Sequence, residues 1–392
     1  MTVLYFADTR FPIERANGLQ TMATCHALAA HGRNVVLAVR PDTARAARDP
    51  YEFYGVQPLL RLTIFEVAGR GGPLRRRLQF LREAFKIQRS HRHAVVYTRD
   101  LGLAASFLSL PRRYRPRLVY ESHGIAPIVS AETPELLGDG RTPPSPAKLK
   151  RLDRRERLVW RRANAYVTLT RALADDLTAR YGPRPAVFVV PDGARAIETA
   201  APEASVPGAP IAAYAGHLYP WKGVDVFVRA LALAPNVRGL IVGGHPGEND
   251  RPRIDGLARD TGVADRLEIT GLLAPTAVAA RLSNASMLVL PNTPSAISTR
   301  FTSPLKMFEY LQLGRPIVAS DLPAFREVLT AETTVFVPPG DPAALAAALE
   351  RLAADPGKRA ALGQAARALA PEYTWERRAE RLDAVFDAAM GR

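Results

Sequence analysis

The sequence predicts an α/β protein built on two doubly wound parallel sheets. Three observations carry that expectation. Short apolar runs alternate with helix-period segments along the chain. The 392 residues exceed what one hydrophobic core ordinarily serves, and a stretch rich in proline and alanine divides them near the middle.

The apolar runs of the first half fall at residues 3–7, 35–39, 62–67, 94–98, 118–121, 166–169 and 187–190, with helical patterns such as 19–30 and 172–180 between them. Runs without polar alternation suit strands covered on both faces. Residues 198–210 have the make-up of a linker. The second half resumes with runs at 211–215, 239–242, 267–270, 287–290, 317–319 and 334–337. The expected division is a first domain over 1–200, a second over 201–372, and a closing helix within 373–392. Residues 125–147, with five prolines and two glycines, are expected to be one long irregular loop, either a lid or acceptor loop or a disordered insertion.

A hydrophobic fraction of 47% excludes global disorder. The single cysteine, Cys25, has no partner for an internal disulfide, and its apolar neighbours at helical spacing place it in the core. A reducing cytoplasm is the expected setting. The start of the chain reads as a strand rather than a charged-then-apolar leader, and no apolar run reaches about 18 residues.

Charge is divided unevenly. Residues 1–200 hold 33 Lys+Arg against 18 Asp+Glu, while residues 201–392 hold 20 of each, so the whole net charge of +15 lies in the first half. Within it, Leu74, Leu78, Leu81 and Phe85 share a helical stripe flanked by Arg75, Arg76 and Arg77. The stripe either rests on an anionic membrane surface or faces the core with its arginines solvated. A second basic helix over 148–162 is expected to pack through Leu152 and Val159. Nucleic acid is not the expected partner, because the chain has neither zinc-finger spacing nor an aromatic-glycine RNA-binding signature.

The most informative stretch runs from Phe301 to Leu311. Ser303 suits a helix N-cap, Pro304 the first helical position and Leu305 the face that follows. Open backbone N–H groups there attract a phosphate, and the carboxylate of Glu309, under two turns further in, can accept from two neighbouring sugar hydroxyls. Gly314-Arg315-Pro316 then ends the helix ahead of the run at 317–319. Some hundred residues upstream, Gly216, His217, Lys222 and Gly223 follow the run at 211–215, giving a strand, a glycine turn, a lysine and a helix. A lysine there can neutralise a departing diphosphate. The blander alternatives are a capped helix with a surface glutamate and an ordinary strand-turn-helix.

These motifs, in this order, resemble a GT-B glycosyltransferase of the retaining family 4 type. The resemblance runs through Asn17-Gly18-Leu19-Gln20, Glu121-Ser122-His123-Gly124, Val190-Pro191-Asp192-Gly193, Ala215-Gly216-His217, Lys222-Gly223, Ile269-Thr270-Gly271, the stretch from Ser303 to Tyr310, and Tyr373-Thr374-Trp375-Glu376-Arg377. It implies two Rossmann-like domains facing a central cleft, with the final helix crossing back to the first domain. It also implies a nucleotide-sugar donor and a saccharide or lipid-linked acceptor. Retention then needs no protein nucleophile, since the departing phosphate can take the incoming hydroxyl's proton. His123 corresponds to a histidine beside the transferred sugar. Donor contacts are expected from Gly216, His217, Lys222, Thr302, Ser303, Pro304, Leu305 and Glu309, catalytic roles from His123 and Lys222, and an acceptor-side loop from Asn17 and Gly18.

Three positions depart from the pattern. His217 stands where many members have an arginine, Phe301 where many have a glutamate, and Gly18 alone where a glycine pair is common. No cofactor is expected and no metal, because neither a His-Glu-x-x-His helix nor an Asp-x-Asp pair is present. Two other functions stay open: a nucleotide-sugar epimerase of the same fold, and a degenerate nucleotide-sugar-binding protein.

Overall fold

The computed structural model describes residues 1–43, 46–137, 140–197, 209–245 and 250–391. Most of the expected linker, residues 198–208, and Gly138 of the expected loop lie outside the described residues. Two compact units emerge. The first comprises residues 1–128, 144–192 and 375–392, the second residues 129–143 and 193–374.

Each apolar run forms a strand. In the first unit these are β1 (Thr2–Phe11), β2 (Asn34–Pro41), β3 (Leu62–Glu66), β4 (Val95–Thr98), β5 (Arg117–Ser122), β6 (Ala165–Thr168) and β7 (Val187–Val189). They make one parallel sheet in the order β3-β2-β1-β4-β5-β6-β7. In the second unit β8 (Ile211–Ala215), β9 (Arg238–Val242), β10 (Leu267–Ile269), β11 (Met287–Leu290), β12 (Ile317–Ser320) and β13 (Thr334–Val337) form another, ordered β10-β9-β8-β11-β12-β13.

The two-residue period of a strand explains why these runs are apolar throughout. Ala212, Tyr214, Ile241, Met287, Val289 and Val318 pack into the core on one face of the second sheet. Their sequence neighbours Ala213, Ala215, Leu240, Leu288, Leu290, Ile317 and Ala319 pack into the core on the other. Both sheets reverse direction of growth once, between β1 and β4 and between β8 and β11. Ligands of open parallel sheets bind beyond the strand ends at such a reversal. In the second unit that point is flanked by Gly216 to Lys222, after β8, and by Pro291 to Thr293, after β11.

Three expectations are corrected. Residues 125–147 are not one irregular loop, because the helix Ala126–Leu137 occupies the first half of the stretch. Pro134 lies inside that helix without ending it. The helix Pro73–Ser90 turns Phe80, Ala84 and Gln88 to the core rather than the stripe read from the sequence, leaving Leu74 and Leu78 74% and 52% exposed. Arg77 is drawn from that helix into ion pairs with Asp8 and with Asp100, the latter at 2.6 Å. At 301–305 the N-cap is Pro304, in an extended conformation, and the helix Leu305–Leu313 begins one residue later than expected, without a side-chain cap. The π-helical turn Ile297–Phe301 just before it shifts the entry and buries the Phe301 ring.

The second basic helix, Pro146–Arg162, buries Val159 as expected, together with Trp160 and Glu156, while Leu152 is only half-buried. Cys25 is fully buried. The final helix, Trp375–Met390, belongs to the first unit, where it buries Arg378, Leu382, Val385 and Phe386. No helix among the described residues is long and apolar enough to cross a membrane.

Candidate functional site

In the second unit Gly216, His217 and Lys222 follow β8, and the helix Leu305–Leu313 is joined to the end of that strand. Gly216 has a φ of +133°, and a Cβ there would collide with the Lys306 ammonium. Glycine at this position makes room for the Lys306 side chain. Lys306 Nζ donates to Tyr214 Oη at 3.3 Å and lies 4.6 Å from the centre of that ring. Tyr214 Oη in turn donates to the carbonyl of His217 at 2.7 Å. His217 stacks its ring on Tyr219, 4.9 Å centre to centre. One turn into the helix, Tyr310 Oη accepts the Ala215 N–H at 2.9 Å, so the helix Leu305–Leu313 is bonded to the last residue of β8.

Lys222 closes a 3-10 turn, Pro220–Lys222, and its ammonium sits 3.5 Å from the centre of the Trp221 ring. Gly223 follows in the left-handed conformation with φ +70°, packed so tightly on the Pro291 carbonyl that a Cβ could not fit. Thr293 N–H donates to the Trp221 carbonyl at 3.1 Å, binding the two loops of the strand reversal together. Between them Asn292 is buried, its Nδ2 lacking a partner among the described residues.

Burial, and after it the neighbouring Lys306 ammonium, push the Lys222 amine well below its usual range. Burial likewise brings Lys306 down to about 8, with Glu309 acting the other way. Burial raises the Glu309 carboxyl against the pull of Lys306. Neither lysine forms an ion pair among the described residues. Thr302, Leu305 and Glu309 are half-buried, whereas Ser303 and Pro304 are buried. The arrangement is two ammonium groups and a helix N-terminus with one carboxylate a turn away, a setting for a multivalent anion.

In the first unit His123 follows β5 and stands in a charged network. Its Nδ1 accepts from Arg99 at 3.2 Å, which leaves Nε2–H to donate to Glu121 Oε1 at 2.6 Å. Gln20 joins both partners, donating to Glu121 Oε1 at 2.7 Å and accepting from Arg99 at 2.7 Å. On the far side of Glu121, Arg378 donates to Oε2 at 2.5 Å and to the carbonyls of Val190 and Pro191 at 2.8 and 2.7 Å. Tyr97 Oη also bonds Glu121 Oε2. Burial pushes the Glu121 carboxyl up, but Arg378, His123 and Arg99 outweigh it and hold it well below the usual range. Burial and Arg99 lower His123 against the pull of Glu121, so the imidazole is neutral with both nitrogens occupied.

Asn17 and Gly18 lie in the first turn of the helix Ala16–Ala30. The room over Gly18 is filled by Ile13 and Tyr54 of the chain itself. The buried Oδ1 of Asn17 has no partner among the described residues. Among those residues no three His, Cys, Asp or Glu side chains gather as a metal site would need.

Sequence reasoning singled out none of Arg99, Lys306 and Arg378. The Trp375-Glu376-Arg377 motif stops one residue short of Arg378. The helical spacing that carries Arg378 inward with Leu382 and Val385 was a signal available in the sequence.

Two parallel sheets of seven and six strands, with these loops at their reversals, define the GT-B class of fold. Comparisons with known proteins agree. Residues 18–193 match the family described as "Glycosyl transferase 4-like domain" and residues 209–355 the family described as "Glycosyl transferases group 1". The chain belongs to the group 1, family 4-like glycosyltransferases. A D-inositol 3-phosphate glycosyltransferase of Streptomyces bingchenggensis is 28% identical over 304 residues, 71% of this chain and 63% of the relative. One from Acidothermus cellulolyticus is 30% identical over 315 residues, 74% and 65%. The chain thus spans somewhat under two thirds of the length of these relatives.

Among solved structures, sucrose-phosphate synthase from Thermosynechococcus elongatus superposes with a TM-score of 0.77 at 19% identity, covering 100% of this chain and 99% of that one. The Anabaena HepE protein solved with UDP-glucose gives 0.73 at 15%, covering 99% and 100%. At these identities the likeness is one of fold.

Proposed function

We propose that the chain is a retaining glycosyltransferase that moves a hexose from a nucleotide-diphosphate sugar to a hydroxyl of a polysaccharide or lipid-linked acceptor. The observation that carries this reading is the pair of ammonium groups that form no ion pair among the described residues, at the reversal of the second sheet and beside the open N-terminus of the helix Leu305–Leu313. In this reading the diphosphate lies against Lys222 and the amides that follow Ser303, Thr302 borders the sugar, and Glu309 accepts from the ribose hydroxyls.

As the bond between the anomeric carbon and the phosphate oxygen breaks, negative charge grows on the diphosphate. Lys222 stabilises it where it appears. The acceptor oxygen bonds to the same carbon on the face the phosphate leaves, and its proton passes to a phosphate oxygen. His123 acts in this scheme by placement: with Nδ1 accepting from Arg99 and Nε2–H bonded to Glu121, the ring is held in one orientation and is no proton acceptor for the acceptor hydroxyl.

The first 200 residues, with their net charge of +15, favour an anionic acceptor or a membrane-bound one. The exposed Leu74 and Leu78 beside Arg75 suit an anionic bilayer at the cytoplasmic face. The relatives' name, D-inositol 3-phosphate glycosyltransferase, likewise carries a phosphorylated compound.

The test is incubation with UDP-, GDP- and ADP-hexoses in turn, following free nucleotide diphosphate with and without lipid-linked and saccharide acceptors. Acceptor-dependent release from one donor is the expected result. A donor bound but never cleaved leaves only a binding protein, and a changed sugar still attached to its nucleotide makes the chain an epimerase.

A further inference from the structure

We infer that Lys306 is a second donor-binding cation, gripping the diphosphate together with Lys222; the inference rests on the donor reading above. Four observations lead to it.

Lys306 occupies the first turn of the helix Leu305–Leu313, the positive end of the helix dipole, where a cation is disfavoured and a carboxylate is the usual stabilising residue. That turn contains no acidic residue. A lysine placed there has a cost in the empty site that a bound anion reverses.

The side chain is held in place by Gly216 and Tyr214. Gly216 leaves the space the ammonium fills, and Tyr214 accepts one of its hydrogens while its own proton is committed to the His217 carbonyl. An ammonium has three donors, and among the described residues only the one to Tyr214 is used.

The second ammonium, on Lys222, is near enough for Lys306 to lower its proton affinity, and no ion pair among the described residues separates or neutralises the two. Facing Lys306 are Tyr214 from β8, Lys222 from the following turn and Glu309 from its own helix. A single phosphate needs one such group. Two ammoniums beside the helix amides match a diphosphate, whose two phosphates and three or so negative charges need a wider grip.

Finally, Asn292, in the loop packed on Gly223, buries an amide nitrogen without a partner among the described residues. That is a further unmet donor next to the same turn.

The test is isothermal titration calorimetry of the full chain with UDP, GDP and ADP and with the matching monophosphates, at pH 8 in two buffers of different ionisation enthalpy. The wild type is expected to bind one diphosphate with net proton uptake, because Lys306, at about 8 in the empty site, is fully protonated beside the anion. Lys306→Met should weaken that diphosphate by about 10- to 100-fold, shift the monophosphate by no more than about threefold, and reduce the uptake. Lys306→Arg, always charged, should retain most of the affinity while losing the Lys306 share of the uptake. Circular dichroism of each variant establishes that it is folded, and the arginine variant carries the test if the methionine one is not. Unchanged diphosphate affinity in Lys306→Met, or an equal loss for mono- and diphosphate, overturns the assignment. Failure of the wild type to bind any of the three diphosphates overturns the donor reading beneath it.

Discussion

Replacing Lys222 by alanine removes an ammonium that no carboxylate among the described residues balances, so its loss leaves no buried partner stranded. We expect kcat to fall by about 10²- to 10³-fold with an unchanged circular dichroism spectrum. Turnover equal to the wild type removes Lys222 from the phosphate site. Glu309→Ala should instead act on binding, raising the dissociation constant for the nucleotide by about tenfold or more. Glu121 is the residue on which the first unit's network turns. Its proton affinity is depressed on folding, so the stability it contributes is present above the unfolded carboxylate range near 4 and is lost as pH falls below it. Arg378→Met, which breaks a fully buried pair, should cost about 3–5 kcal/mol of stability. It should also raise the His123 pKa, read from its imidazole resonances by NMR, since Glu121 is then opposed by one guanidinium fewer. An unmoved histidine would mean that Arg378 supports the fold alone. Single residues were only partly legible in the sequence. Lys222 and Glu309 are marked by motifs, whereas Lys306, Arg99 and Arg378 acquire their roles from neighbours far along the chain. In the proposed grip on the diphosphate, Lys306 is the second cation that the sequence left wanting at His217.

Elements were legible where their pattern was local. Each of the thirteen apolar runs is a strand, because a strand covered on both faces must be apolar along its length. Helix faces and ends were less so. Of the two readings of the stripe on the helix Pro73–Ser90, the core-facing one fails at Leu74 and Leu78, because Phe80, Ala84 and Gln88 take the core while Arg77 pairs with Asp8 and Asp100. The start of the helix Leu305–Leu313 was misjudged because a π-helical turn precedes it. The helix Ala126–Leu137 was hidden by its own proline and by the anchoring of its first N–H on a distant side chain, Glu156, at 2.6 Å. That anchor has a measurable consequence. Burial raises Glu156 to about 8, so between roughly pH 4.3 and 8 the folded chain keeps a proton that the unfolded chain has lost, and stability falls as pH rises through this window. Glu156→Gln keeps the acceptor and removes the titration. Its melting temperature should exceed the wild type's at pH 8 by more than at pH 5. The same difference at both values would place the charge elsewhere.

For the molecule as a whole, the two-sheet architecture was legible from alternation and length, and the uneven charge from counting. The basic half leads to a prediction about surfaces. Leu74→Ser with Leu78→Ser should lower binding to vesicles rich in phosphatidylglycerol and leave binding to neutral vesicles at its low level, without disturbing Arg77, whose pairs with Asp8 and Asp100 the fold requires. Equal binding before and after substitution assigns the charge to an anionic acceptor in solution.

The helix Trp375–Met390 is made after the second unit, yet it fills the interior of the first. On the ribosome, then, the sequence order of synthesis and the order of completion are opposed. The second unit has all of its residues by Thr374, while Glu121 still lacks the guanidinium of Arg378. A nascent chain halted before residue 375 should therefore show protease-resistant fragments from the later half and rapid digestion of the earlier one.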